Sequence, residues 1–122
     1  MAGSRSRRVL IVDDDARVRH ALQALLDSFD GLCPWGEAVA GPEALAADEE
    51  LEPDVVLLDL LLPSAAEGLE TLGALVARGR TVVAMSIRAG LATAAVEAGA
   101  AAFVEKGVSA DHLVDTLRRA SP

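Results

Sequence analysis

The chain has few of the features that mark secreted or membrane proteins. Its 122 residues include one cysteine, Cys33, so an internal disulfide is excluded. Although 52% of the residues are hydrophobic, no apolar run approaches the roughly 18 to 20 residues of a membrane helix. The first apolar run, Val9 to Val12, is cut short by three aspartates and does not resemble the core of a signal peptide. We therefore expect a soluble cytoplasmic protein that does not associate with membranes.

Positive charge is also scarce. The net charge is −8, and the isoelectric point is about 4.6, so most of the surface should repel nucleic acid. The one basic cluster, Arg5, Arg7 and Arg8, falls in residues 1–8, which we predict to be a flexible tail without a function. The length suits one domain, predicted over residues 9–120.

Short aliphatic runs recur along the chain and predict buried strands. Each run is continuous rather than alternating, as is typical of parallel strands covered on both faces. The four clear runs are Val9–Val12, Val55–Leu58, Thr81–Met85 and Ala101–Val104, and a weaker fifth is Glu37–Ala40.

Segments with helical spacing separate these runs. In the first, Val18, Leu22 and Leu26 fall on one face, while Arg17, Arg19 and Gln23 are predicted on the other. The predicted helices are 16–29, 42–50, 67–77, 91–97 and one that follows Ser109 as its N-cap. Strand and helix thus alternate five times, which predicts an α/β fold with a doubly wound parallel sheet and helices on both faces.

Carboxylates follow two of the predicted strands. Asp13, Asp14 and Asp15 follow the first strand and Asp59 follows the third, so they should meet at one edge of the sheet. Converging carboxylates repel one another, so either one of them is protonated or a cation neutralises them. A hard divalent ion is the simpler solution, and an all-oxygen donor set favours Mg²⁺, with Mn²⁺ as an alternative. The three aspartates alone also fit a polar turn in which Asp15 caps a helix. Asp59, after four aliphatic residues, is harder to explain without a partner or a function.

Two further polar residues stand at predicted strand ends. Ser86 follows the fourth strand, and Lys106, the one lysine of the chain, follows the fifth. A hydroxyl and an ammonium suit the binding of phosphoryl oxygens. Taken singly, Ser86 is also compatible with an ordinary strand-end hydroxyl and Lys106 with a solvated surface charge.

From Val9 to Arg119 the chain resembles the receiver domain of two-component response regulators. The resemblance rests on the acidic pair, on the aspartate with a proline four residues later, and on the serine and the aromatic residue before the lysine, which are Asp13, Asp14, Asp59, Pro63, Ser86, Phe103 and Lys106. It implies a flavodoxin-like fold with five strands in the order 2-1-3-4-5.

The resemblance also implies a mechanism. Asp59 would accept a phosphoryl group from a sensor histidine kinase, and Ser86 and Lys106 would hold the phosphoryl oxygens. Mg²⁺ would contact Asp14, Asp59 and the carbonyl of Leu61, with Asp13 assisting through water. Phe103 would then turn inward and switch an output face formed by the fourth helix, fifth strand and fifth helix; the alternative is that Phe103 is a plain core residue. Homodimer formation is left open.

Three departures from the family pattern shape further expectations. Gly107, where a proline is usual, favours the NarL/FixJ-like branch, which implies control of transcription through a DNA-binding domain outside these 122 residues. Ile87 and Arg88, together with Leu61, are predicted to restrict water at the site and to slow the loss of phosphate. The short spacing between Ser86 and Lys106 predicts a truncated or irregular fourth helix.

Other protein classes share parts of this pattern. A haloacid-dehalogenase-type phosphatase would have a second aspartate where this chain has Leu61, and a flavodoxin-like nucleotide-binding protein would have a glycine-rich loop after the first strand. A receiver-like docking module that works without phosphorylation is the main alternative. For a phosphoacceptor signalling domain we expect no enzyme activity beyond self-phosphorylation and self-dephosphorylation.

Overall fold

The structure, a computed structural model, describes residues 6–121 of the chain. Strands and helices alternate as predicted, and a 3₁₀ turn at Ala89–Leu91 precedes the fourth helix. The elements are β1 (Arg7–Val12), α1 (Ala16–Asp27), β2 (Leu32–Ala38), α2 (Gly41–Leu51), β3 (Val55–Asp59), α3 (Ala65–Ala77), β4 (Val82–Ser86), α4 (Ala92–Glu97), β5 (Ala102–Glu105) and α5 (Ala110–Arg119).

The five strands form one parallel sheet in the order β2-β1-β3-β4-β5. This confirms the predicted flavodoxin-like fold. Strand order reverses between β1 and β3, which are neighbours in the sheet although β2 lies between them in sequence. In sheets of this kind, ligands bind beyond the carboxyl ends of the strands at that reversal.

Two apolar cores lie on opposite faces of the sheet. On β1, Val9 and Ile11 point to the side covered by α1 and α5, while Leu10 and Val12 point to the side covered by α2, α3 and α4. All four are fully buried. Burial on both faces is the reason why the inner strands have continuous aliphatic sequences.

The edge strand β2 differs most from the prediction. It runs from Leu32 to Ala38, so the predicted range of Glu37–Ala40 matches only its last residues. β2 pairs with β1 alone and includes Pro34 and Gly36, between which the register with β1 shifts. An edge strand tolerates proline and is covered less completely, so no apolar run marks it in the sequence.

The first strand begins earlier than expected. Arg7 and Arg8 belong to β1 and not to a flexible tail. The main-chain N–H of Arg8 donates to Asp54 Oδ2 at 2.7 Å, and Arg7 Nη1 donates to the carbonyl of Leu117 at 2.6 Å. The expectation for Arg5 and the rest of the tail lies outside the described residues.

Capping and length agree with the predictions for other helices. Asp15 accepts a hydrogen bond from the N–H of Arg17 at the start of α1, and Ser109 accepts one from the N–H of His112 at the start of α5. α4 has six residues, which confirms the truncated fourth helix. Within residues 6–121, no helix combines the length and the apolar character needed to cross a membrane.

Candidate functional site

Three carboxylates converge at the carboxyl ends of β1 and β3. These neighbouring strands are in register, with Val12 opposite Leu58, so the residues that follow are placed side by side. Asp13 is fully buried, Asp59 is 4% exposed and Asp14 is exposed. One carboxylate oxygen of each lies within 4.8 Å of the others. The predicted acidic pocket is therefore present.

Lys106 joins two of these carboxylates. Its Nζ lies 2.8 Å from Asp13 Oδ2 and 2.9 Å from Asp59 Oδ2, and its side chain is 24% exposed. Burial alone would lower the pKa of Lys106, but the hydrogen bonds to Asp13 and Asp59 and their charges outweigh it, so the pKa lies above its usual value. The ammonium therefore stays charged near neutral pH, and the surface-charge alternative for Lys106 does not hold.

Main-chain amides hold the other oxygens of both buried carboxylates. The N–H of Asp15 donates to Asp13 Oδ1 at 2.9 Å, and the N–H of Leu61 donates to Asp59 Oδ1 at 3.0 Å. Each carboxylate thus has one oxygen on an amide and the other on Lys106. This arrangement fixes the orientation of the two side chains before any ligand arrives.

The charges of the site suit a divalent cation. Three carboxylates face one ammonium, which leaves two negative charges without a counter-ion in a partly buried pocket. Oxygen donors from one or two carboxylates are the ligands that Mg²⁺ prefers, with further positions kept for water and phosphate. The donor set of Asp13, Asp14 and Asp59 therefore fits Mg²⁺, and also Mn²⁺, in both charge and chemistry.

Ser86 lies beside this pocket. β4 pairs with β3 so that Met85 is opposite Asp59, and Ser86 follows Met85. Ser86 is fully buried, and its Oγ accepts a hydrogen bond of 3.0 Å from the N–H of Arg88. Among residues 6–121 it accepts this bond and donates none, so the hydroxyl proton is free for a ligand oxygen.

The four remaining predicted residues lie outside the acidic cluster. Phe103 is half-buried on β5 and packs against the core beneath α2, α3 and α4. Ile87 is 68% exposed, and Arg88 is also exposed, directly after Ser86. Leu61 is half-buried and contacts Asp59 through its N–H.

Arg19 also lies in this region, although helical spacing predicted it on the outer face of α1. That prediction holds for Arg17, whose side chain is 93% exposed, but is wrong for Arg19, which is 12% exposed. Arg19 Nη1 donates to the carbonyl of Asp13 at 2.8 Å, and its Nε lies 2.5 Å from Glu37 Oε1. The sequence did contain a signal for this contact: Glu37 is an acidic residue near the end of β2, and β2 lies beside β1, which Asp13 follows.

Comparisons with known proteins identify the family of the chain. The sequence-family model described as the response regulator receiver domain matches residues 9–118. The chain is 34% identical over 115 residues to the response regulator GacA of Pseudomonas viridiflava, covering 91% of this chain and 53% of that protein. It is 45% identical over 105 residues to protein-glutamate methylesterase/protein-glutamine glutaminase 6 of Anaeromyxobacter dehalogenans (strain 2CP-C), covering 84% of this chain and 30% of that protein.

A solved structure gives the same result. A two-component response regulator of the LuxR family from Aurantimonas sp. SI85-9A1 superposes with a TM-score of 0.85 at 27% identity, covering 93% of this chain and 83% of that one. This neighbour agrees with the predicted NarL/FixJ-like branch. The chain spans about half of the GacA relative and under a third of the methylesterase. A family match over residues 9–118 and a sheet of the predicted order lead to one conclusion: the chain belongs to the response regulator receiver domain family.

Proposed function

We propose that this chain is a phosphorylation switch in which Asp59 accepts a phosphoryl group from a sensor histidine kinase in a Mg²⁺-dependent reaction. The observation that carries the proposal is the position of Lys106, whose ammonium bridges the buried carboxylates of Asp13 and Asp59. A surface ion pair would not need two buried acids around one cation. A phosphoryl acceptor needs a cation held beside it, because the negative charge of the arriving group must be offset.

The transfer step is an in-line displacement at phosphorus. An oxygen of the Asp59 carboxylate forms the new P–O bond while the P–N bond to the kinase histidine breaks, and the electron pair of that bond remains on the histidine nitrogen. The phosphoryl oxygens accept hydrogen bonds from the Lys106 ammonium and the Ser86 hydroxyl. Asp14, Asp59 and the carbonyl of Leu61 would hold Mg²⁺, with Asp13 assisting through water, and the ion would supply charge neutralisation.

The response follows from the same contacts. A hydrogen bond from Ser86 to a phosphoryl oxygen draws the segment after β4 towards Asp59, and Phe103 turns inward into the space that opens. The affected surface is formed by α4, β5 and α5. We infer that in the cytoplasm this surface controls transcription through a DNA-binding domain outside the present sequence, with homodimer formation as one route. The similarity to a protein-glutamate methylesterase/protein-glutamine glutaminase suggests control of an enzyme as the other class of output.

The test is phosphorylation by a small donor. The chain is incubated with acetyl phosphate and Mg²⁺, and its intact mass is measured beside Asp59→Asn and the control Asp115→Asn, which changes an exposed aspartate of α5. We expect one added phosphoryl group in the wild type and in the control, none in Asp59→Asn, and none in any sample with excess EDTA. A wild type that gains no mass overturns the proposal in favour of a docking module that works without phosphorylation.

A further inference from the structure

Arg19 connects α1 to β2 and to Asp13, the residue that follows β1, at the edge of the acidic pocket. Its Nη1 donates to the main-chain carbonyl of Asp13 at 2.8 Å, and its Nε pairs with Glu37 Oε1 at 2.5 Å. Glu37 Oε2 accepts a second bond, of 2.6 Å, from Gln23 Nε2. The Arg19 guanidinium therefore binds the Glu37 carboxylate with one nitrogen and the backbone carbonyl of Asp13, beside the pocket, with another.

The carbonyl that Arg19 holds belongs to the peptide unit between Asp13 and Asp14. Other contacts of Asp13 fix other atoms: its N–H donates to the carbonyl of Ala38 at 3.1 Å, and its two carboxylate oxygens are held by Asp15 and Lys106. Because a peptide unit is planar, holding its oxygen sets the plane in which Asp14 begins. Asp14 is the exposed member of the acidic cluster, so its placement depends most on this backbone.

The negative charge of Glu37 is stabilised by its neighbours. Hydrogen bonds from Arg19 and from Gln23 lower the pKa of Glu37 below its ordinary value, and burial opposes this only in part. Glu37 is therefore ionised at neutral pH and keeps the guanidinium in the orientation that reaches Asp13.

We propose that Arg19 is a positioning residue for the metal site: by holding the Asp13–Asp14 peptide unit, it places the Asp14 carboxylate for the cation. The inference rests on the proposed Mg²⁺ site. Arg19 itself touches neither the metal nor the phosphoryl group. Residues that orient metal ligands typically change metal affinity by about 10- to 100-fold when they are removed.

Electrostatics alone predicts the opposite change in Mg²⁺ affinity when Arg19 is removed, so the positioning role can be tested. Removing a positive charge beside three carboxylates reduces repulsion of an incoming cation and should tighten Mg²⁺ binding. Loss of positioning should weaken it. Arg17 supplies the matched control, since it is on the same helix, carries the same charge and pairs with Asp15, but its side chain is 93% exposed and does not contact Asp13.

The experiment measures divalent-cation affinity without a phosphodonor. Binding of Mn²⁺ is followed by the EPR signal of the free ion, and Mg²⁺ is followed by its competition with Mn²⁺. The proteins are the wild type, Arg19→Ala, Arg19→Lys and Arg17→Ala. We expect Kd to rise about tenfold in Arg19→Ala, to recover in part in Arg19→Lys, which keeps one donor, and to stay the same or fall in Arg17→Ala.

A second readout separates positioning from loss of folding. The rate of phosphorylation by acetyl phosphate is measured against Mg²⁺ concentration, well below the unfolding midpoint of each variant. A positioning role raises the half-saturating Mg²⁺ concentration of Arg19→Ala and leaves the rate at saturation near that of the wild type. A merely destabilised protein loses amplitude at every concentration, which would overturn the inference.

The outcomes also separate this inference from the proposed function. If the wild type is phosphorylated and Arg19→Ala binds the cation as tightly as the wild type or more tightly, the positioning role is wrong and the phosphorylation switch stands. If the wild type binds neither Mg²⁺ nor Mn²⁺, both are overturned.

Discussion

Gly68 of α3 lies directly against the main-chain carbonyl of Leu60, with no room between them for a Cβ atom. Leu60 is the residue after Asp59, and its N–H donates to the carbonyl of Met85 on β4 at 2.9 Å. The first turns of α3 therefore pack on the backbone that carries the candidate phosphorylation site. A side chain at position 68 would have to move either the helix or that backbone.

Substitution of Gly68 should be costly for this reason. We expect Gly68→Ala to lower the free energy of unfolding by about 1–3 kcal/mol, the usual cost of overpacking, and to slow phosphorylation by shifting the segment after Asp59. Gly73→Ala is the matched control on the same helix, where a Cβ meets nothing within 4 Å, and it should stabilise by about 0.5–1 kcal/mol. Urea unfolding measures both, and equal effects of the two substitutions would contradict the packing argument.

Asp48 should matter for stability and not for phosphorylation. Its side chain on α2 is 1% exposed, its Oδ1 lies 2.5 Å from Arg80 Nε, and Arg78 pairs with its Oδ2 at 3.4 Å. Removing one partner of a buried pair leaves the other charge uncompensated, so we expect Asp48→Ala to cost about 3 kcal/mol by urea unfolding. Arg80 precedes β4, at the edge of the sheet opposite Asp59, so the folded variant should accept phosphate at the wild-type rate.

The control for Asp48 is the exposed ion pair between Asp115 and Arg119, which are 54% and 79% exposed. Asp115→Ala should change the free energy of unfolding by no more than about 0.5 kcal/mol. A cost for Asp48→Ala as small as that of the control would show that the buried network does not stabilise the fold.

The pair between Arg19 and Glu37 should give acid-dependent stability. The folded pKa of Glu37 lies below its ordinary value of 4.5, so its contribution is present above that pH and is lost as pH falls through the folded pKa. Urea unfolding of the wild type and Glu37→Gln between pH 6 and pH 3 should show a stability difference that shrinks below about pH 4.5. A difference independent of pH would refute this assignment.

Loss of phosphate should depend on the residues after Ser86. Ile87 is 68% exposed, so replacing it together with Arg88 by alanine should cost little stability while admitting water to the site. We expect the double variant to lose its phosphoryl group several-fold faster than the wild type after donor removal, followed by intact mass. Val96→Ala, on the 58% exposed Val96 of α4, is the control. An unchanged lifetime in the double variant would exclude the predicted role of Ile87 and Arg88.

Sequence patterns predicted β1, β3, β4 and β5 because a strand that is buried on both faces has a continuous aliphatic sequence. Each of β1, β3, β4 and β5 coincides with an aliphatic run to within two residues at each end. The edge strand β2 has no aliphatic run, because it contains Pro34 and half-exposed residues around it. Because parallel strands end at the same edge of a sheet, the sequence also predicted that Asp13 and Asp59 lie together.

Contacts between distant segments could not be predicted in the same way. Asp48 lies in a polar stretch of α2, and it is buried only because Arg78 and Arg80, 30 and 32 positions along the chain, reach it. Arg19 shows the same limit. Helical spacing put it on the outer face, but a long side chain can fold back over the end of its helix, and periodicity of Cβ positions does not report that.

Lys106 is the one lysine in the sequence, and it stands inside the acidic pocket. Its own amide also donates to the carbonyl of Ser86 at 2.9 Å, so its backbone and its side chain report on two parts of the site. A sample labelled with ¹⁵N-lysine alone would therefore show a single backbone amide resonance in an NMR spectrum. That one signal would follow metal binding and phosphorylation in a mixture with an unlabelled kinase, with no assignment of the remaining residues required.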